Sequence, residues 1–319
     1  MRLPVTPHVV PLFYSLDEYA QQGVSGGPGK EGIPAIDTPQ FVSARSAESF
    51  LRPEDIVFGV VLNNDIKAYP QKILVWHEIV NDRLGHEKVS VTYCPLTGTA
   101  MGFKRGETTF GVSGRLVNSN LLMYDRATNS YWPQILGTAV SGPFKGKSLE
   151  EFSVIWTTWG RWKQRYPETA VLSENTGYIR NYHRDPYGSY HPLSGYYAKG
   201  SSLLFPVLHR DRRFDSKAVV LGARTREGAI AFKKHSLRAK KIMEGSLGDK
   251  QYTAVYDPVL DTGYLYKNPD GKRFIYEKGH YTHADRQWEA RELPLEKVNA
   301  FDAMWFAWVA FYPKTDTYE

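Results

Sequence analysis

The side chains best suited to chemistry in this chain are its sole cysteine, Cys94, and a histidine upstream, His77. A thiol beside an imidazole gives up its proton more readily and becomes a nucleophile. The same pair is also a soft-metal ligand set: thiolate with imidazole suits copper or zinc, and thioether sulfur suits copper. Met101 and Met123 are the candidate thioether donors, while Glu78, Asn81 and Asp82 offer polar groups to orient the imidazole. Three readings stand side by side. The first is a copper-binding redox protein built on Cys94, His77, Met101 and Met123. The second is a cysteine-nucleophile transferase or hydrolase using Cys94, His77 and Asp82. The third is a non-catalytic ligand-binding or scaffold module in which the thiol is buried and inert. No His follows Cys94 within its own loop, so a metal site must be assembled from separate elements.

Other motifs are weaker. Asp125 and Arg126 read as a structural pair, with Asp125 as an alternative orienter of His77. Ser113 lacks the full Gly-x-Ser-x-Gly form of a hydrolase elbow. Phosphate loops and dinucleotide fingerprints do not occur. His280 and His283 stand three apart and suggest a pair on a helix, but no third ligand accompanies them, and they read as surface residues. The net charge is +6, yet basic and acidic residues are interspersed and nucleic-acid-binding motifs are missing, so the expected partner is a small molecule or metal. One cysteine excludes an intrachain disulfide. No apolar run reaches the length of a membrane-spanning helix. The start, Met1 to His8, lacks a signal peptide's apolar core, which points to the cytoplasm.

The elements that position these residues read as α+β, mainly β. Residues 55–62 and 66–69 read as strands joined by a turn at Asn63-Asn64-Asp65. Ile73, Trp76, Val80 and Leu84 have helical spacing and predict a helix over 71–84, placing His77 and Asn81 on one face. Cys94 then ends a strand over 89–93, at a Pro-Gly loop. Further strands are expected at 100–104, 108–112, 121–124 and 138–140, and a Trp-rich strand and short helix before Pro167. Residues 1–52 read as an extended lead-in, 53–172 as a first repeat, 173–213 as an ordered Tyr/His-rich linker, and 214–319 as a second, degenerate repeat.

The repeat rests on an offset of 163 (222 − 59) that carries Gly59–Tyr69 onto Gly222–Phe232 and Phe103 onto Tyr266 without a gap. Later, Trp132 matches Trp288, and Trp156 and Trp159 match Trp305 and Trp308. This predicts a duplication about a pseudo-twofold axis, and it supplies a control. Tyr93 and Pro95 persist as Tyr256 and Pro258, which marks them as scaffold. Cys94 becomes Asp257, His77 becomes Lys240, Glu78 becomes Lys241, and Asn81 falls at or beside Gly245.

His77-Glu78-Ile79-Val80-Asn81-Asp82, Thr92-Tyr93-Cys94-Pro95-Leu96, Phe110-Gly111-Val112-Ser113-Gly114 and Leu122-Met123-Tyr124-Asp125-Arg126 occur in that order. Trp132, Gly137, Trp159 and Pro167-Glu168-Thr169 follow. In these motifs the chain resembles the uncharacterised prokaryotic family catalogued as domain of unknown function three-one-seven-nine. The resemblance transfers no activity. It implies an extracytoplasmic location, since many members look exported or lipid-anchored. Members commonly show Cys-Pro-Leu-Cys, whereas Thr97 stands here in place of the second cysteine. Thiol–disulfide exchange would therefore need an outside partner, while copper binding and nucleophilic chemistry stay compatible with one thiolate.

Overall fold

The computed structural model describes residues 3–319. It is mainly β, with six short α-helices among the described residues. Alternating apolar positions build two units of the same plan. In the first, strand Ile56–Leu62 lies between Ile155–Thr158 and Asp65–Pro70, with Ala170–Leu172 added in parallel. In the second, Val219–Thr225 lies between Ala300–Met304 and Gly228–Lys233, with Asp316–Tyr318 added in parallel. Each unit then runs through a short helix, Gln71–His77 or Lys234–Lys240, into a meander. The meander is Ile79–Leu84, Glu87–Cys94 and Thr99–Lys104 in the first unit, and Ile242–Leu247, Lys250–Asp257 and Thr262–Lys267 in the second.

Packing repeats in detail. A Cβ on Gly59 would lie 2.1 Å from the Trp162 ring, and one on Gly222 would lie 2.4 Å from Trp308. Both indoles donate to a threonine hydroxyl at 3.0 Å, Thr169 and Thr315 respectively. The tryptophan match read from the sequence is therefore shifted by three. Trp159 and Trp162 hold the places of Trp305 and Trp308, while Trp156 sits in the register of Asp302.

Two expected elements differ. The helix predicted over 71–84 ends at His77, and Ile79–Leu84 is a strand paired with Glu87–Cys94. A spacing of four, as in Val80 and Leu84, fits a strand face as well as a helix face, and the Gly85-His86 turn then closes a hairpin. Consequently His77 and Asn81 do not share a helix face, and strand register sets Asn81 against Glu244, the neighbour of Gly245. Thr138 to Val140 forms only an isolated bridge, Thr138 to Ser148. The lead-in contributes short edge strands: Val24–Ser25 pairs with Phe110–Val117, and Phe41–Ser43 with Ala170–Leu172.

The two units meet in one apolar cluster that includes Cys94, Met101, Met123 and Trp132 from the first and Trp305, Trp308 and Phe311 from the second. Each such large side chain contributes about 1.5–3 kcal/mol on burial, so this cluster outweighs the polar contacts across the seam. No helix among the described residues is long and apolar enough to cross a membrane.

Candidate active site

Cys94 is the last residue of its strand, opposite Thr99, and the chain turns at Pro95–Gly98. A buried polar girdle fixes that turn. Thr97 and Thr99 share a hydroxyl hydrogen bond of 2.8 Å, Thr99 donates to Gln134 at 2.6 Å, and Asn120 donates to both Thr97 and Gln134 at 3.0 Å. The second unit contributes as well, since the Met304 N–H donates to the Thr97 carbonyl at 2.9 Å.

Cys94 is 1% exposed. It accepts the Leu121 N–H at 3.3 Å and points its own proton at the Ser119 carbonyl, 3.9 Å away. Burial pushes the thiol up to about 11, and the charge of Glu78 pushes the same way. The Thr97 hydroxyl and the N–H groups of Leu121 and Thr97 pull it down. The corresponding turn in the second unit shows what these donors suit. There Asp257, in the place of Cys94, accepts the N–H groups of Val259 and Leu260 at 2.8 and 3.2 Å. Backbone N–H groups thus meet a carboxyl in one unit and a sulfur in the other, and in both burial outweighs them and raises the group's proton affinity.

Glu78 sits where the helix gives way to the strand, at φ 58° and ψ −30°. Lys241 adopts the same conformation at the same junction, φ 69° and ψ −34°. The backbone strain therefore belongs to the scaffold, and the side chain is what differs. Lys241 donates to the Arg238 carbonyl at 2.6 Å. Glu78 is buried, and its carboxyl makes no hydrogen bond to another described residue. Burial alone pushes it up to about 8, so it is largely protonated at neutral pH.

Tyrosines of the linker cover this pair. Tyr196 donates to the Leu96 carbonyl at 2.8 Å, and Tyr190 stacks on Tyr197 at 4.0 Å and hydrogen-bonds Tyr93 at 3.0 Å. Burial raises Tyr187, Tyr190 and Tyr196, and the charge of Cys94 raises each further; Glu78 also acts on Tyr187. Lys217 secures the cover: its ammonium donates to the Tyr196 carbonyl at 3.0 Å and lies over that ring.

The imidazole does not join the thiol. Nδ1 of His77 lies 2.8 Å from the Pro34 carbonyl, which can only accept, so Nδ1 carries the proton. Nε2 then accepts from the Tyr182 hydroxyl at 2.7 Å. Both ring nitrogens are engaged, and burial lowers the ring's proton affinity. Asp82 is committed elsewhere, bound by Lys67 at 2.8 Å and Tyr69 at 2.7 Å. Asn81 is spent on Asp37, Ser90 and the Phe110 backbone. Asp125 and Arg126 do not pair: Asp125 holds Thr128 and Trp132, while Arg126 binds Glu31 and Asp37. His280 and His283 lie on a strand, not a helix. Met101 and Met123 are buried in the cluster that holds Cys94. No group of three or more His, Cys, Asp or Glu side chains among the described residues is placed to share a metal ion.

The candidate site of the first unit is thus Cys94 and Glu78, with Tyr187, Tyr190 and Tyr196 around them. Sequence reasoning gave Glu78 only a supporting role, although its replacement by Lys241 carried the signal. The girdle of Thr97, Thr99, Asn120 and Gln134 went unread, because common polar residues scattered over forty positions carry no spacing signal.

A family described as Protein of unknown function (DUF3179) matches residues 30–315. The chain belongs to the DUF3179 family. No curated protein and no solved structure matches it significantly. The span matched to DUF3179 takes in Cys94, Glu78, their tyrosine cover and the second-unit contacts that brace the turn. In this DUF3179 chain the charge of Glu78 acts on the Cys94 thiol, and burial raises the proton affinity of both groups.

Proposed function

We propose that this chain is a cysteine-nucleophile enzyme, a transferase or hydrolase of a small molecule, in which Glu78 rather than His77 handles the proton. The reading is carried by one observation, a largely buried carboxyl, hydrogen-bonded to no described residue, whose charge acts on a thiol that accepts the Leu121 N–H. The sulfur attacks an electrophilic acyl carbon, and the Glu78 carboxylate takes the thiol proton. The C–S bond forms, the bond to the leaving group breaks, and Glu78 passes the proton to that group. Because this carboxyl titrates near 8, its base form gains ground as pH rises towards about 8, and the reaction should quicken over the same range. Taking the proton also cancels the carboxylate charge that opposes a thiolate.

Exposure to p-nitrophenyl acetate tests the reading. Intact-protein mass should show one acetyl group on Cys94, absent in Cys94→Ala and formed at least about a hundredfold more slowly in Glu78→Gln. Acetylation confined to lysines, at equal rates in all three proteins, would overturn it.

A copper-binding redox reading is supported by a different observation, the packing of Met101 and Met123 in the same buried cluster as Cys94. It requires stoichiometric copper in purified protein, lost on Cys94→Ala and reduced on Met123→Leu. His77 joins such a site only if Tyr182 releases Nε2.

A further inference from the structure

The buried girdle at the Cys94 turn has its protons fixed from the backbone outward. Asn120 Oδ1 accepts the Ile135 N–H at 2.9 Å, so the amide nitrogen is the end that donates to the Thr97 hydroxyl and to Gln134 Oε1, both at 3.0 Å. Gln134 Nε2 donates to the Thr92 hydroxyl at 2.9 Å and to the Thr99 carbonyl at 3.2 Å. Thr92 in turn gives its proton to the Met101 carbonyl at 3.0 Å. Gln134 Oε1 can only accept, so the single hydroxyl proton of Thr99 goes to it, at 2.6 Å. In the 2.8 Å contact between the Thr97 and Thr99 hydroxyls, the donor is therefore Thr97.

Thr97 stands apart from the other two hydroxyls. Thr92 and Thr99 give their protons to oxygens that can only accept, a backbone carbonyl and a carboxamide. Thr97 gives its proton to another hydroxyl, and its side chain also acts as a donor towards the Cys94 sulfur. A hydroxyl proton turns about its C–O bond, so one proton serves either acceptor. While Cys94 is a thiol with its own proton aimed at the Ser119 carbonyl, the Thr99 oxygen takes the Thr97 proton. An ionised sulfur draws a hydrogen bond more strongly than a neutral hydroxyl does. The second unit supports the link between girdle and cysteine. Strand register and the turn set Val255 in the place of Thr92 and Leu260 in the place of Thr97, so two of the three hydroxyls are lost along with the cysteine, and Thr262 alone persists.

We propose that Thr97 is a positioning residue for the Cys94 nucleophile: its hydroxyl proton, directed at Thr99 while the sulfur is a thiol, turns to the sulfur as the thiolate forms, and Asn120, Gln134 and Thr99 hold the hydroxyl ready to do so. The proton stays on the Thr97 oxygen throughout, and only its hydrogen bond changes. This rests on the reading of Cys94 as a nucleophile and names a side-chain donor for its anion.

Two neighbouring substitutions with opposite expected effects test it. Cys94 is the sole cysteine, so carbon-13 labelling of cysteine gives one resonance whose shift follows its ionisation against pH. In Thr97→Val the thiolate loses a donor, and the midpoint should rise by about one pH unit. Thr97→Ser keeps the hydroxyl and should restore the midpoint of the unmodified protein. In Thr99→Val the resting acceptor is gone and the Thr97 proton is left to the sulfur, so the midpoint should fall by about half a pH unit. A merely structural girdle would send both valine variants in the same direction; that result, or no change in either, would overturn the proposal. Where Thr97→Val does not fold, Thr99→Val decides alone, and a midpoint that rises or stays in place overturns it. The titration uses no acyl donor. A Cys94 that shifts as expected but gains no acetyl group from p-nitrophenyl acetate would refute the nucleophile reading and leave the hydrogen bond of Thr97 to the thiolate standing.

Discussion

At the scale of single residues, Glu78 carries a consequence that does not depend on any substrate. Its ordinary value of 4.5 is raised to about 8 by burial. A group raised in this way lends stability fully below about pH 4.5, and that contribution declines as pH rises and is gone above about pH 8. The loss amounts to roughly 5 kcal/mol at most. Urea unfolding should therefore show the unmodified protein losing stability between about pH 5 and pH 8, while Glu78→Gln stays nearly level. Equal slopes for both would contradict the burial of an ionisable carboxyl there. Cys94 and Glu78 were legible in the sequence because the second unit replaces them with Asp257 and Lys241. The role of His77 was not: which partners take its two nitrogens depends on Pro34 and Tyr182, 43 and 105 residues away in sequence.

Elements show how a short sequence signal misleads. Ile73, Trp76, Val80 and Leu84 satisfy a helical stripe, yet the backbone reverses at Glu78 and the last two lie on a strand. The same reversal at Lys241 shows it to be a property of the unit. The strands themselves were legible, because period-two patterning and turn residues bracket them. The close approach of Trp162 to Gly59 was not, since it joins two elements a hundred residues apart. Gly59→Ala should cost about 1–3 kcal/mol and Gly222→Ala a similar amount, measured by chemical denaturation. A neutral effect at both positions would contradict the packing described. Thr169→Val tests the indole's hydrogen bond and should cost about 1 kcal/mol.

Across the whole molecule, the two units share an apolar cluster, and the second braces the turn that holds Cys94. Arg224 reaches across the seam to Glu151, with both side chains largely buried. Glu151→Gln would leave that guanidinium without its counter-charge and should cost about 3 kcal/mol. Because the core is common, thermal unfolding should be a single transition, and two resolved transitions would contradict it. The sequence made the correspondence of the units visible up to Phe103. Beyond it the spacing changes to 146 (305 − 159), and aromatic residues three apart allowed the wrong register. The tyrosine cover lies between the units and has no counterpart to compare, so only its composition hinted at its place.

The account depends most on the coupling of sulfur and carboxyl inside this covered site. It is tested by following thiolate absorbance against pH in the unmodified protein and in Glu78→Gln, each with its Cys94→Ser version as the blank. Ionisation of Cys94 should come late, near pH 11, and move to lower pH when Glu78 loses its charge. A thiol that titrates at its ordinary value of 9.0 and ignores the substitution would contradict the account.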